Sequence, residues 1–300
     1  MKRIATGLIC IFMIISMCSC SDGTKENPAS DFEYRFSPDG EYAIIEKYVG
    51  KSTNVVIPAK IEGAAVSSLY GKNVDGFIKG VFEGTDVETV VIPKSVKYIG
   101  TCAFKDCVKL TSVEIKENSD LDMISVSAFE NCYSLKTINL ENATKLTVIE
   151  NKAFYNCSSI ETIKFPKDLE TIGVQAFVNC SALKSINVPT KLNMMNMEGA
   201  SFSGVGALEE IVFDEGRESI RGYCFFFITS TVKIVIPESV TSIDVTTFAN
   251  SGTMNIYCLG DCPQISEEDG FSGNVTIYYD QTKAGWDTTP LKDVHTLIAN

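Results

Sequence analysis

The phenylalanine of one short phrase returns nine times along this 300-residue chain, at Phe82, Phe104, Phe129, Phe154, Phe177, Phe202, Phe225, Phe248 and Phe271. The steps between them are 22, 25, 25, 23, 25, 23, 23 and 23 residues. Four copies are nearly identical: "AFKDCVKLTSVEI", "AFENCYSLKTINL", "AFYNCSSIETIKF" and "AFVNCSALKSINV". A second column holds the register, because Ile99, Ile124, Ile149, Ile172, Ile220 and Ile243 each stand five residues ahead of their phenylalanine. Two columns in step over most of the chain describe a solenoid, in which each repeat is one coil of a stack. A catalytic nucleophile is needed once, so a cysteine that returns with the phrase is architecture.

Within a unit, "LKTINL", "IETIKF" and "LKSINV" alternate as a strand with one buried face does. Pro93, Pro166, Pro189 and Pro237 follow such strands, where a missing N–H costs no interior ladder bond and the fixed φ turns the chain. The "AF" phrase is expected to form the opposite wall as a turn or helical loop. One coil alone buries too few apolar side chains to offset the entropy of ordering its backbone, so stability has to come from stacking. Coils repeating at about 4.8 Å give a body roughly 40 Å long. Cys107, Cys132, Cys157 and Cys180 form a column three residues after the phenylalanines. Their parallel Cβ vectors stay near the strand spacing, beyond the reach of a disulfide, so they are expected to be free buried thiols acting as small apolar groups. Replacing Cys132 with Ser is expected to bury a hydroxyl without a partner.

The formal net charge is −12 and the only Lys/Arg cluster is Lys2–Arg3, which argues against nucleic acid and anionic membrane surfaces as partners. Lys2 and Arg3 open a short apolar run, Ile4 to Met17, ahead of "MCSCSDGTKENPAS". That pattern reads as a targeting segment. Ser19–Cys20 resembles a bacterial lipobox, imperfect at Met17 and Cys18, so residues 1–19 are expected to be a lipoprotein signal peptide, Cys20 the lipid-attachment residue and 20–31 a polar tether. This implies export and a lipid anchor in the outer membrane of a Gram-negative bacterium, at the cell surface.

No Walker loop, dinucleotide fingerprint, EF-hand loop or paired CxxC occurs, and neither a cofactor nor a metal is expected. The single histidine, His295, has no nucleophile placed by any motif and is expected to be a structural residue of the C-terminal end. Glu209–Glu210 and Glu267–Glu268–Asp269 raise glycoside hydrolysis or calcium, but on an acidic chain they read as solvation. Cys258 and Cys262 are close enough in sequence for a local disulfide, with two free thiols as the other option. Trp286 is expected to plug the last coil.

The unit L-x-x-I-x-(L/I)-P-x-x-L-x-x-I-x-x-x-A-F-x-x-C resembles the BspA-like leucine-rich-repeat family of bacterial surface proteins, over roughly residues 32 to 298. The resemblance implies a mainly β, right-handed leucine-rich-repeat stack of about nine coils with N- and C-terminal caps. Residues 32–60 would be an N-terminal cap with a β-hairpin turning at "SPDG", 61–279 the solenoid and 280–300 the C-terminal cap. It also implies no catalysis and a role in adhesion. The expected partner is a host-matrix or other cell-surface protein, with a glycan as the lesser option and membrane contact through the lipid alone. A monomer is expected. Two further classes stay open: a polysaccharide-degrading β-solenoid enzyme using carboxylates, and a structural envelope component. The outward middle position of the strands runs Val91, Glu114, Asn139, Lys164, Asn187, Val212, Val235. Glu114, Asn139, Lys164 and Asn187 are the candidate ligand-binding row, outward-pointing and dispensable for folding. No aromatic row is read on this face, which favours a protein over a sugar. About eight extra residues near "YGKNVDGFIKG" and about two at "MNMEGAS" are expected to bulge as loops.

Overall fold

The computed structural model describes residues 25–193, 201–222, 225, 228–249, 251–265, 271, 273–289 and 291–299. The signal segment and Cys20, residues 195–200 of the second insertion, and the Glu267–Asp269 carboxylates lie outside the described residues.

The chain is a mainly β solenoid of about ten turns with almost no helix. Each coil contributes a strand to a front sheet, and register follows the repeat. Thr89–Ile92 pairs in parallel with Ser112–Ile115 residue for residue, and Ser185–Val188 pairs with Glu210–Phe213. Inward residues such as Val113, Ile115, Ile211 and Ile234 are buried, as expected for strands with one buried face. The column of isoleucines makes a second sheet that the alternation did not announce. Two-residue strands Tyr98–Ile99, Met123–Ile124, Val148–Ile149 and Thr171–Ile172 pair in parallel from coil to coil. Such a strand is too short to leave an alternating pattern, so only its buried member shows in the sequence.

The "AF" phrase forms the third wall, mostly as turns. It too is hydrogen-bonded between coils: Phe104 N–H donates to Ala128 O and Phe129 N–H to Ala153 O, both at 2.7 Å. The rings from Phe82 to Phe202 stack in parallel, with centroids 4.8–5.2 Å apart and planes within 8°. Those separations fit the offset stack that aromatic pairs favour. Here it is imposed by strand spacing, since coils locked about 4.8 Å apart by their ladders leave equivalent rings nowhere else to go.

At the N-terminal end, Phe32–Phe36 and Tyr42–Tyr48 form an antiparallel hairpin that turns at Ser37–Gly40. Asp39 Oδ1 accepts the Glu41 N–H at 3.1 Å, the side-chain-to-backbone closure that suits Asp to turns. The front ladder reaches past the expected solenoid limits at both ends. Asn54–Val56 pairs with Thr89–Ile92, and Thr296–Ala299 pairs with Asn274–Tyr279. The insertion after Leu69 is an ordered feature: Lys72–Val74 and Phe77–Lys79 pair antiparallel around Asp75–Gly76. Asp75 (φ 52°) and Gly76 (φ 89°) are both left-handed, the two-residue turn whose twist matches that of a hairpin.

Candidate binding surface

The outward column of the front sheet divides into two halves of different character. In the N-terminal half, the row Glu114, Asn139, Lys164 and Asn187 is not a regular grid, because the ladder breaks through it. The front sheet comprises a four-stranded piece ending at Thr137–Ile138 and a seven-stranded piece beginning at Thr162–Ile163. At the break the backbone leaves strand geometry at Asn139 (ψ 69°) and enters a 3-10 turn, Leu140–Asn142. The Asn139 side chain replaces the rung that its backbone gives up. Its Oδ1 accepts the Ile115 N–H at 2.7 Å and its Nδ2 donates to Ile115 O at 3.0 Å. Asn187, inside the continuous ladder, makes the same pair of bonds where the short strand Thr162–Ile163 stops, on the Phe165 N–H at 2.7 Å and the Phe165 O at 3.1 Å.

The expectation that these asparagines simply point outward is therefore corrected: both are half-buried and bond the backbone of the preceding coil. Glu114 is exposed but pairs with Lys116 at 2.8 Å. Only Lys164 of the four is exposed and without an ion pair among the described residues. The hydroxyls beside the row are also engaged within the stack. Thr111 Oγ1 donates to Glu88 O at 2.9 Å and Thr137 Oγ1 to Ser112 Oγ at 3.2 Å, while Lys184 and Glu161 pair across coils at 2.7 Å.

In the C-terminal half the ladder is continuous, and the same outward column becomes apolar. Register carries Val212 onto Val235, Val235 onto Tyr257, Tyr257 onto Tyr278 and Tyr278 onto Ile298. The two valines and two tyrosines are half-exposed, and Ile298 is exposed. Tyr257 and Tyr278 stack with centroids 4.4 Å apart and planes 5° from parallel. Lys233, held by Glu210 at 2.8 Å, lies over the Tyr257 ring 5.4 Å from its centroid. An aromatic row thus exists where none was read. Tyr257 presents its edge, because Tyr278 covers one face and Lys233 approaches the other from the preceding coil. A sugar ring needs an open aromatic face, so this arrangement suits a protein surface better.

The remaining candidates are structural. All seven cysteines among the described residues are free thiols, including Cys258 and Cys262. The column thiols do more than fill space. Cys107, Cys132, Cys157 and Cys180 each donate to a phenylalanine carbonyl of the preceding coil, on Phe82, Phe104, Phe129 and Phe154, at 2.9, 3.1, 3.1 and 3.3 Å. Ser251 occupies the same column and donates to Phe225 O at 3.1 Å. A serine here accordingly has a partner, contrary to expectation. Burial pushes the Cys107 and Cys180 thiols up to about 12, so they are protonated, non-nucleophilic groups.

His295 accepts the Phe271 N–H on Nε2 at 2.9 Å, and burial lowers its pKa. Trp286 is buried, donates to Gly260 O at 3.1 Å and stacks on Tyr279. One chain of side chains escaped the sequence reading altogether. Asn131 Nδ2 donates to Asp106 Oδ1, Asn156 to Asn131 and Asn179 to Asn156, at 2.7, 2.8 and 2.9 Å. All four residues have φ near +60°, a conformation that Asn and Asp tolerate well. The signal was present in the "DC" and "NC" pairs of the repeated phrase.

A sequence profile described as the BspA type leucine-rich repeat region matches in 6 copies, over residues 77–198 and 147–277. The chain belongs to the BspA-type leucine-rich-repeat family. Among solved structures, a leucine-rich repeat protein of T. pallidum is similar at 32% identity and TM-score 0.54, over 62% of this chain and 81% of that one. A leucine-rich repeat protein of Bacteroides ovatus shares the fold at 21% identity and TM-score 0.52, over 83% of this chain and 70% of that one. No curated protein matches. The family match begins inside the hairpin, at residue 77, so Lys72–Val74 lies ahead of it. Among the described residues no helix is long and apolar enough to cross a membrane, and no three His, Cys, Asp or Glu side chains gather as a metal site.

Proposed function

We propose that this BspA-type repeat protein is a non-catalytic binding scaffold, exported and held on the outer membrane of a Gram-negative bacterium by a lipid on Cys20, and that it takes a protein partner on its C-terminal coils. The observation that carries this reading is the outward strip Val212, Val235, Tyr257, Tyr278 and Ile298 on a continuous ladder. Aromatic side chains are enriched where proteins meet, and a rigid sheet holds them with little entropy left to lose on binding. Adhesion to a host-matrix or other cell-surface protein is the role that this surface and the family resemblance support together. The carboxylates give catalysis little support, since Glu210 is neutralised by Lys233.

The test is to probe the purified ectodomain against immobilised matrix proteins and a glycan array, beside the Tyr257→Ala/Tyr278→Ala variant. A protein ligand whose affinity falls at least tenfold in the variant, about 1.4 kcal/mol, supports the reading. Binding confined to glycans, or undiminished in a folded variant, removes it. Separately, Cys20→Ser should release the protein from the membrane fraction or block its processing.

A further inference from the structure

The hairpin after Leu69 forms one wall of a cleft. Its strands pair Lys72 with Lys79, Asn73 with Ile78 and Val74 with Phe77. Cross-strand partners share a face, and neighbours along a strand alternate between faces. Lys72, Val74, Phe77 and Lys79 therefore stand on one face of the hairpin. Lys72, Val74 and Lys79 line a cleft of about 240 Å³, whose other walls come from the strand Tyr42–Tyr48 and from residues 80–85. That face is thus turned towards the first coils. Phe77 shares it without lining the cleft, so its ring stands at the rim. It is 80% exposed, more than any other large apolar side chain among the described residues.

The wall is rigid. A Cβ at Gly71 would strike Lys79 O, and one at Gly80 would strike Cys102 O, so the legs of the hairpin touch each other and the next coil through their backbones. Asn73 Oδ1 accepts the Gly76 N–H at 3.0 Å and closes the turn. The charges in the cleft are nearly all answered. Lys72 is ion-paired to Glu33 and, at 3.8 Å, to Glu46. Glu33 also faces Lys47 at 3.9 Å, and Glu46 holds Arg35 at 3.0 Å. Glu83 accepts the Gly80 N–H at 2.7 Å. Of the cations lining the cleft, only Lys79 makes no ion pair among the described residues. Below these charges the lining is apolar, with Tyr48 and Val81 buried.

We infer that this cleft is a second docking site, separate from the C-terminal strip, for a peptide segment of a protein partner in which an acidic residue stands beside an apolar one. The acidic side chain enters the cleft and pairs with Lys79, and its apolar neighbour packs against Phe77 and Val74. Charge decides the sign of the ligand. The cation left unanswered lies on a chain of net charge −12, so a carboxylate that most of this surface repels finds a counter-charge here. The apolar lining shelters that charge-assisted bond. Size decides the class. Pockets that enclose a drug-sized ligand measure roughly 300–1,000 Å³, whereas this smaller cleft suits side chains of a segment whose backbone stays outside. Phe77 supplies the anchor, an aromatic ring already fixed in place, which loses its water on contact with little entropy left to lose. Asp75, in the exposed turn, stays in water in this arrangement.

The experiment selects peptides from a random phage-displayed library on immobilised full-length protein, then measures the most enriched sequence as a labelled synthetic peptide by fluorescence anisotropy. Enriched peptides should carry Asp or Glu beside an apolar residue. Affinity should fall about tenfold or more in Phe77→Ala and in Lys79→Met, persist in Lys79→Arg, and weaken with added salt. It should be unchanged in Tyr257→Ala/Tyr278→Ala, which keeps this site distinct from the C-terminal strip. Far-UV circular dichroism should give every variant the parent's Tm, since the substituted side chains are exposed or half-exposed. A selection that enriches nothing, or only peptides without an acidic residue, overturns the inference. So does a peptide bound equally by the Phe77 and Lys79 variants, or one lost in the tyrosine variant, which belongs to the strip. If 3-phenylpropionate alone binds as tightly as the peptide, the cleft takes a free small acid and the peptide reading fails. A dimer in sedimentation that Phe77→Ala dissociates gives the cleft to a second copy of this chain and overturns the inference too.

Discussion

Replacing Asn139 with alanine separates a ligand-binding residue from a rung of the sheet. The Ile115 N–H points away from the Thr89–Ile92 strand, and its partner is Asn139 Oδ1 at 2.7 Å. Ile115 O accepts from Asn139 Nδ2 at 3.0 Å and also from Asn142 Nδ2 at 2.9 Å. Asn139→Ala therefore leaves the carbonyl served and the N–H orphaned. A donor left without a partner costs about 1–3 kcal/mol when buried, and since Asn139 is half-buried the expectation is about 1–2 kcal/mol. At this chain length that lowers Tm by roughly 2–4 °C per kcal/mol. Thermal unfolding by far-UV circular dichroism reads the global effect, and amide exchange of peptides spanning Ile115 reads the local one, since a solenoid can open coil by coil. Lys164→Ala, at an exposed position of the same row, is the control and should stay within about 0.5 kcal/mol of the parent. If Asn139→Ala is as stable as Lys164→Ala and the Ile115 amide stays protected, the side-chain rung is not what closes the break.

Four further outcomes are expected. Cys132→Ser should destabilise by no more than about 1 kcal/mol, because the hydroxyl can donate to Phe104 O as Ser251 does to Phe225 O; a denaturant midpoint far below that of Cys132→Ala would contradict this. In the amide ladder, Asn156→Asp sets carboxylate oxygen against Asn131 Oδ1 and should cost about 1–3 kcal/mol. Asp106→Asn should be nearly neutral, because Asp106 only accepts in that ladder. Cys107 and Cys180 are raised from 9.0 to about 12 by burial, so folding favours the neutral thiol. Their contribution is fully present below pH 9 and lost as pH rises towards 12; urea midpoints should fall over that window, and more gently in Cys107→Val/Cys180→Val, valine being the residue that Val205 supplies in the same column.

The sequence by itself determined the solenoid, its register and its core. In a stack every coil meets only its neighbours, so one buried column, such as Phe104, Phe129 and Phe154, repeats the same physical demand each time and prints it as a period. Free thiols in the cysteine column followed from that period too, because parallel side chains keep the spacing of the strands. Tyr257 and Tyr278 were equally legible, on the next two strands after Val235 in a column already in register. What only the tertiary structure decided concerns contacts made between coils. Whether Asn139 points to solvent or bonds Ile115 depends on the ladder failing after Thr137–Ile138, and nothing in "LKTINL" marks that failure, since a strand residue and a side-chain rung share the same position in the repeat. The thiol donors on phenylalanine carbonyls and the asparagine ladder arise in the same way, from atoms brought within hydrogen-bond reach by stacking residues 23–28 positions apart. The hairpin is the opposite case. Its turn is local and readable as Asp75–Gly76, but that Phe77 stays uncovered follows from where the first coils place it.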